Sequence, residues 1–164
     1  GGGVIGEGAS SLAGFLYSHI PKIGEMLGSR KIIAIFDNDK EGVDQFNKIA
    51  KEYSNSYSII EIDGNNILKH KNYSVYILKL IAPTFRDKFV HKESKYCYLS
   101  TELLLHDDNI PISNRDIIPD TLPQKFSFKS DKKIDFANKI APDSTDFSVF
   151  KKTIDLIRKI KSID

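Results

Sequence analysis

A run of apolar residues that ends in two aspartates constrains this chain more than any other feature. Residues 31–36 read Lys-Ile-Ile-Ala-Ile-Phe, and Asp37, Asn38 and Asp39 follow directly. A short, continuous run rich in β-branched residues is typical of a strand that is buried on both faces in the middle of a parallel sheet. We therefore predict a buried central strand here. If this segment is helical or lies at an exposed edge of the sheet, the family resemblance given below fails.

The two aspartates predict a site for a hard cation. Asp37 and Asp39 stand where the strand ends, and ligands of parallel α/β sheets bind outside the carboxyl ends of strands. Two carboxylates there repel each other unless a cation lies between them, and their oxygens suit Mg²⁺ or Mn²⁺. The alternative is that both aspartates only cap the helix that starts near Glu41. Gly42 is expected to permit a tight turn or a close backbone approach into that helix.

The order of predicted elements indicates an α/β fold. Strands are predicted at residues 31–36, 57–62 and 75–81, and helical spacing of apolar residues covers 41–51. Strands that alternate with helices favour layered α/β architecture with right-handed crossovers. We expect a small, mostly parallel sheet flanked by helices, with the C-terminal helices packed on it.

Length and composition limit the classes of protein. The 164 residues suit a single domain, which we divide into core βα units at 1–83 and a helical C-terminal part at 97–164. The apolar runs are far shorter than the ~20 residues that span a bilayer, so no membrane association is expected. One cysteine, Cys97, excludes an intrachain disulfide and fits a cytoplasmic location. The chain opens Gly-Gly-Gly without Met, and we interpret it as a fragment of a longer protein.

The residues around the two aspartates resemble a motif of a known protein family. Positions 35–42, Ile-Phe-Asp-Asn-Asp-Lys-Glu-Gly, resemble the Asp-x-Asp motif of Toprim domains, which topoisomerases, bacterial primases and OLD (overcoming lysogenization defect) nucleases share. The sequence is most similar to the Toprim domains at the C-terminus of OLD-family ATPases. The glycines at 1–3 stand where that family has a glycine-rich turn. The resemblance covers residues 1–83 and continues more weakly to the end.

The resemblance implies Mg²⁺-dependent (or Mn²⁺-dependent) cleavage of nucleic acid, DNA above all. Asp37 and Asp39 would be both metal ligands and catalytic residues. Glu102 would match a later acidic ligand of the family, and Lys133 its catalytic lysine, with the neighbouring Lys132 as the other candidate. Glu102 can equally be an acid in the first turn of a helix, and either lysine an ordinary surface residue. The implied partner is an ATPase, in the same protein or a separate one, and the implied role is phage defence.

One departure from the family pattern concerns its first strand. A Toprim domain has a glutamate at the end of that strand, in a Glu-Gly-x-x-Asp setting. Glu7 and Gly8 are followed here by Ala-Ser-Ser, and no apolar strand precedes them. We therefore expect the first strand and its glutamate upstream in a longer protein, with Glu7 itself as the alternative.

The missing glutamate leaves two other functions open. The first is a non-catalytic, Toprim-like interaction domain that docks an ATPase or DNA. The second is a phosphatase of the haloacid-dehalogenase type, which also has Asp-x-Asp after a strand. That fold adds a later lysine and an acidic pair near the sheet, and the sequence shows no convincing set. An apolar strand ending in Glu-Gly upstream would favour the nuclease.

Overall fold

The computed structural model describes residues 8–163, and within them the chain forms five α-helices and eight strands. The helices are α1 (Ala9–Gly14), α2 (Ile20–Ile23), α3 (Lys40–Glu52), α4 (Lys133–Lys139) and α5 (Lys151–Lys161). The strands are β1 (Ile32–Phe36), β2 (Asn38–Asp39), β3 (Tyr57–Ile62), β4 (Asn65–His70), β5 (Val75–Lys79), β6 (Tyr98–Leu99), β7 (Arg115–Ile118) and β8 (Lys125–Phe128). A π-helical turn, Phe15–His19, joins α1 to α2, and short 3-10 turns fill much of the region between β5 and α5.

The main sheet is mixed, so the expectation of a mostly parallel sheet is wrong. Among residues 8–163 its four strands lie in the order β1-β5-β4-β3. Only β1 and β5 are parallel; β4 is antiparallel to both β5 and β3. The reason is the β3–β4 hairpin, which was not predicted from the sequence. Asp63 and Gly64 both have positive φ, 51° and 74°, as a two-residue type I′ turn requires, and that turn returns the chain antiparallel.

The prediction that residues 31–36 form a central strand is also wrong. β1 has β5 as its single strand neighbour in the described part of the sheet, and Ile35 is 36% exposed. The apolar run has another cause. Ala34 and Phe36 pack against the core under α1 and α3, whereas Ile33 packs against the core under α5. Two helix-covered faces make a strand apolar whether it lies in the middle or at the edge. An exposed edge was the outcome at which the Toprim interpretation fails. β1 does lie at the edge of the described sheet, but Ile35 is its one exposed residue.

Helices cover both faces of the sheet, as expected. α3 buries Val43, Phe46 and Ile49 on the side that it shares with α1. α5 buries Leu156 and Ile160 on the opposite face. The start of β1 is fastened to the end of α5, because the Lys31 ammonium donates to two carbonyls of the last turn. In the described chain, no helix has the length and apolar character that crossing a membrane demands.

A second hydrophobic core is formed mainly by the part of the chain that runs from β5 to α5, and this part includes α4. Its fully buried aliphatic residues include Leu99, Leu103, Leu104 and Leu105, and its aromatic residues include Phe89, Phe126, Phe128 and Phe136. Arg86, only 3% exposed, lies within this core. Its guanidinium donates to the carbonyls of Leu103 (2.8 Å) and Leu105 (3.0 Å) and pairs with Asp107. Arg86 therefore fixes the turn that carries Glu102.

The two cores meet where β1 ends. β2 pairs antiparallel with β6, with Asn38 opposite Leu99 and Asp39 opposite Tyr98. This short ladder places residues 37–39 beside residues 98–102, although some sixty residues separate them along the chain.

Candidate carboxylate–lysine site

Asp37 directly follows the last residue of β1, and its carboxylate is hydrogen-bonded to Thr101. One carboxylate oxygen, Oδ1, accepts hydrogen bonds from the Thr101 backbone N–H (3.1 Å) and from its hydroxyl (3.0 Å). Oδ1 is therefore engaged, and the carboxylate has a set orientation that leaves Oδ2 for another partner. Thr101 was not predicted from the sequence, because only the β2–β6 pairing brings it to Asp37.

Asp39 caps α3. Its backbone is extended, and its Oδ1 accepts a hydrogen bond from the Gly42 N–H at 2.8 Å. The capping hydrogen bond that the alternative predicts is therefore present at Asp39. It does not describe Asp37, whose hydrogen bonds go to Thr101 instead.

Gly42 makes the close approach that its position predicts. A Cβ built on Gly42 would lie 2.1 Å from the Asp37 carbonyl oxygen and 3.0 Å from the Asp37 carbonyl carbon. Since Cβ atoms do not come so close to backbone, only glycine lets α3 start this near the end of β1. The Asp-x-Asp-x-x-Gly spacing is therefore a packing requirement that also holds Asp37 in place.

Lys133, the first residue of α4, links Asp37 to Glu102. Its ammonium lies 3.8 Å from Asp37 Oδ2 and 3.2 Å from Glu102 Oε2. Those two oxygens can be no farther apart than the sum of these distances, which is within the span of a shared site. The neighbouring Lys132 pairs with Asp131 at 3.2 Å and takes no part. The structure therefore brings Asp37, Glu102 and Lys133 together.

The electrostatics of the site centre on Asp37. Burial raises the pKa of this carboxyl above its usual range. Lys133 and the Thr101 hydrogen bond lower the pKa, and the nearby carboxylates of Asp39 and Glu102 raise it again. Three acids and a single lysine thus act on one another across a small volume, and an additional cation would relieve the repulsion among the acids.

Two buried polar atoms on the Glu102 segment have no hydrogen-bond partner in the described protein. They are Ser100 Oγ and Glu102 Oε2. For Glu102 Oε2, the Lys133 ammonium is close enough for an ion pair but does not have hydrogen-bond geometry. Buried polar atoms nearly always have a partner, so two on one turn beside a carboxylate cluster mark a place that favours a polar or cationic guest.

A cleft of about 970 Å³ opens over these residues. Asp37, Asp39, Ser100 and Lys133 line it together with the start of α1 and the first turns of α3. Apolar and aromatic side chains, such as Phe36 and Tyr98, form part of its wall. The volume suits a ligand of nucleotide size.

The donor atoms fit Mg²⁺ or Mn²⁺ held in an open site, and not in a closed one. Within residues 8–163, no group of three or more His, Cys, Asp or Glu side chains is arranged to hold a metal ion. Mg²⁺, however, is usually bound by one or two carboxylates, with waters and substrate phosphates as its other ligands. Asp37 and Asp39 at the mouth of the cleft meet that requirement, and Glu102 lies beside them.

The remaining predicted features lie outside the described residues: Glu7, the alternative first-strand glutamate, and the glycine-rich turn at 1–3. Comparison of the chain with family models, with curated proteins and with solved structures gave no match. The resemblance to Toprim domains therefore rests on the motif residues themselves.

Proposed function

We propose that this cleft is a Mg²⁺-dependent site that cleaves phosphodiester bonds of nucleic acid, as part of a Toprim-like nuclease. The observation that carries the proposal is that Asp37 and Lys133 line one cleft, while Glu102 lies beside them and pairs with Lys133. These residues come from three distant segments of the chain, and their charges suit a metal ion together with a phosphate.

Each residue has a role that follows from its contacts. Asp37 and Asp39 would hold the metal ion, which when bound supplies charge stabilisation at the phosphate and a more acidic water. Thr101 fixes the orientation of Asp37 through Oδ1. Lys133 lies where its ammonium can contact a non-bridging phosphate oxygen and stabilise the charge that develops there. Without a bound phosphate, the Lys133 ammonium pairs with Glu102 Oε2 at 3.2 Å.

Two findings weigh on the other side and support an interaction domain as the second candidate. β1 lies at the edge of the described sheet. The Lys133 ammonium also accompanies both Asp37 and Glu102, so the cluster can act as an ion network that only holds α4 to the sheet. In that case the domain would dock an ATPase or DNA without cutting it.

The test uses the full-length protein that contains this chain. We expect cleavage of plasmid DNA with Mg²⁺ or Mn²⁺, and loss of at least about tenfold in rate for Asp37→Asn and Lys133→Met, since removing one charge-stabilising group typically costs 10²–10³. Lys132→Met is the matched control, because the Lys132 ammonium pairs with Asp131 rather than with Asp37 or Glu102, and it should cut like wild type. Circular dichroism of each variant shows that the fold is kept.

The contrary outcomes separate the candidates. Equal cleavage by wild type and by Asp37→Asn would remove the catalytic role. No cleavage by wild type with several metals and with both DNA and RNA would favour the interaction domain. Hydrolysis of p-nitrophenyl phosphate in the absence of nuclease activity would instead favour the phosphatase, for which Lys133 beside Asp37 is the required later lysine.

A further inference from the structure

The Lys133 ammonium lies between two of the carboxylates of the site. It is within 4 Å of Asp37 Oδ2 and of Glu102 Oε2 at once. Thr101 engages the other oxygen of Asp37, and Gly42 engages Oδ1 of Asp39. The Asp37 oxygen that Thr101 leaves free is therefore the one that faces the lysine.

An ammonium and a divalent ion compete for these oxygens. Metal–oxygen distances are about 2.0–2.6 Å, so an ion bound to Asp37 Oδ2 would lie within a few ångströms of the ammonium, and the two cations would repel each other. The ion pairs are only partly buried: the Lys133 side chain is 36% exposed and that of Glu102 is 18% exposed. Such pairs are weak enough to break.

We propose that Lys133 is a resident counter-cation that competes with the divalent metal for Asp37 and Glu102, and that metal binding displaces its ammonium toward the substrate phosphate. This inference rests on the proposed function and adds regulation to it. Lys133 lines the cleft, so its flexible side chain has room to move from the carboxylates to a bound phosphate. The lysine would keep the acids neutralised while metal is absent and would become available to the phosphate once metal binds.

The inference is tested by metal binding, independently of cutting. Mn²⁺ is titrated into full-length protein without nucleotide or DNA, and free Mn²⁺ is followed by electron paramagnetic resonance. Binding that is present in wild type and weakened or lost in Asp37→Asn is assigned to this site. Lys133→Met should bind Mn²⁺ roughly 1.4- to fivefold more tightly at this site, since it loses an opposing pair of the usual strength of partly exposed ion pairs. Lys133→Gln serves as a second variant, and Lys132→Met should match wild type.

The outcomes separate this inference from the proposed function. Equal or weaker Mn²⁺ binding by both Lys133 variants overturns the competition, even if they cut DNA poorly. A site unchanged by Asp37→Asn overturns both ideas. Tighter binding by the Lys133 variants in a protein that never cuts nucleic acid supports the competition and rejects the nuclease.

Discussion

Gly42 offers the sharpest test of how the Asp37 segment is built. In Gly42→Ala the new Cβ would lie 2.1 Å from the Asp37 carbonyl oxygen and 3.0 Å from its carbonyl carbon. An ordinary contact begins near 3.4 Å, so backbone atoms must separate by more than 1 Å by that comparison. Overpacking of this kind costs about 1–3 kcal/mol. Replacing glycine by alanine within a helix returns at most about 1 kcal/mol, so we expect net destabilisation of about 1–2 kcal/mol.

A matched control lies in α1. A Cβ on Gly14 would meet nothing closer than the Tyr17 hydroxyl oxygen at 3.9 Å, so Gly14→Ala should be neutral or stabilising by up to about 1 kcal/mol. Urea unfolding of wild type and both variants measures the difference. Gly42→Ala should also lower the Mn²⁺ affinity of the site, because the strain falls on Asp37. A Gly42→Ala protein as stable as wild type, with unchanged Mn²⁺ affinity, would refute this reasoning.

Three further predictions concern residues around the site and the sheet. Asp39→Ala should cost about 1 kcal/mol in urea unfolding because the cap on Gly42 is lost, whereas Asp39→Asn should retain stability; equal losses would contradict the cap. Arg86→Met should lower the free energy of unfolding by at least about 1–3 kcal/mol, since the carbonyls of Leu103 and Leu105 lose their hydrogen-bond donor; a cost below about 1 kcal/mol would contradict this role of Arg86. Burial lowers the pKa of His70 below its usual value, so its contribution to stability is present above about pH 6.5 and lost as pH falls through the lower folded pKa. Urea unfolding of His70→Gln should depend less on pH between 7 and 5 than that of wild type.

The structure changes what the sequence alone predicts about stability when Asp39 is replaced. Two neighbouring carboxylates predict repulsion, and hence that removing either one leaves stability unchanged or slightly raised. The structure gives Asp39 a capping hydrogen bond and gives Asp37 two hydrogen bonds from Thr101. Truncation to alanine removes those bonds along with the charge, so asparagine is the better substitution at both positions.

Local patterns in the sequence were enough to predict several elements. The apolar run at 31–36 and the runs at 57–62 and 75–81 correspond to β1, β3 and β5. The helical spacing after Glu41 corresponds to α3, and the close approach at Gly42 is confirmed. The β3–β4 hairpin was missed, although Ile62-Asp63-Gly64-Asn65 carries the Asp-Gly signal of a type I′ turn. That omission led directly to the wrong prediction of a mostly parallel sheet.

The sequence by itself determined the features that depend on neighbours along the chain. These features are the ends of the predicted strands, the glycine that follows the two aspartates, and the cap at Asp39. Only the tertiary structure decided the position of β1 in the sheet, because an apolar run reports covered faces and not strand order. It also decided that Lys133 rather than Lys132 meets Asp37 and Glu102, and that Thr101 orients Asp37. These contacts join segments 31 to 96 residues apart, and they form only because β2 pairs with β6 and Arg86 fixes the turn beside them.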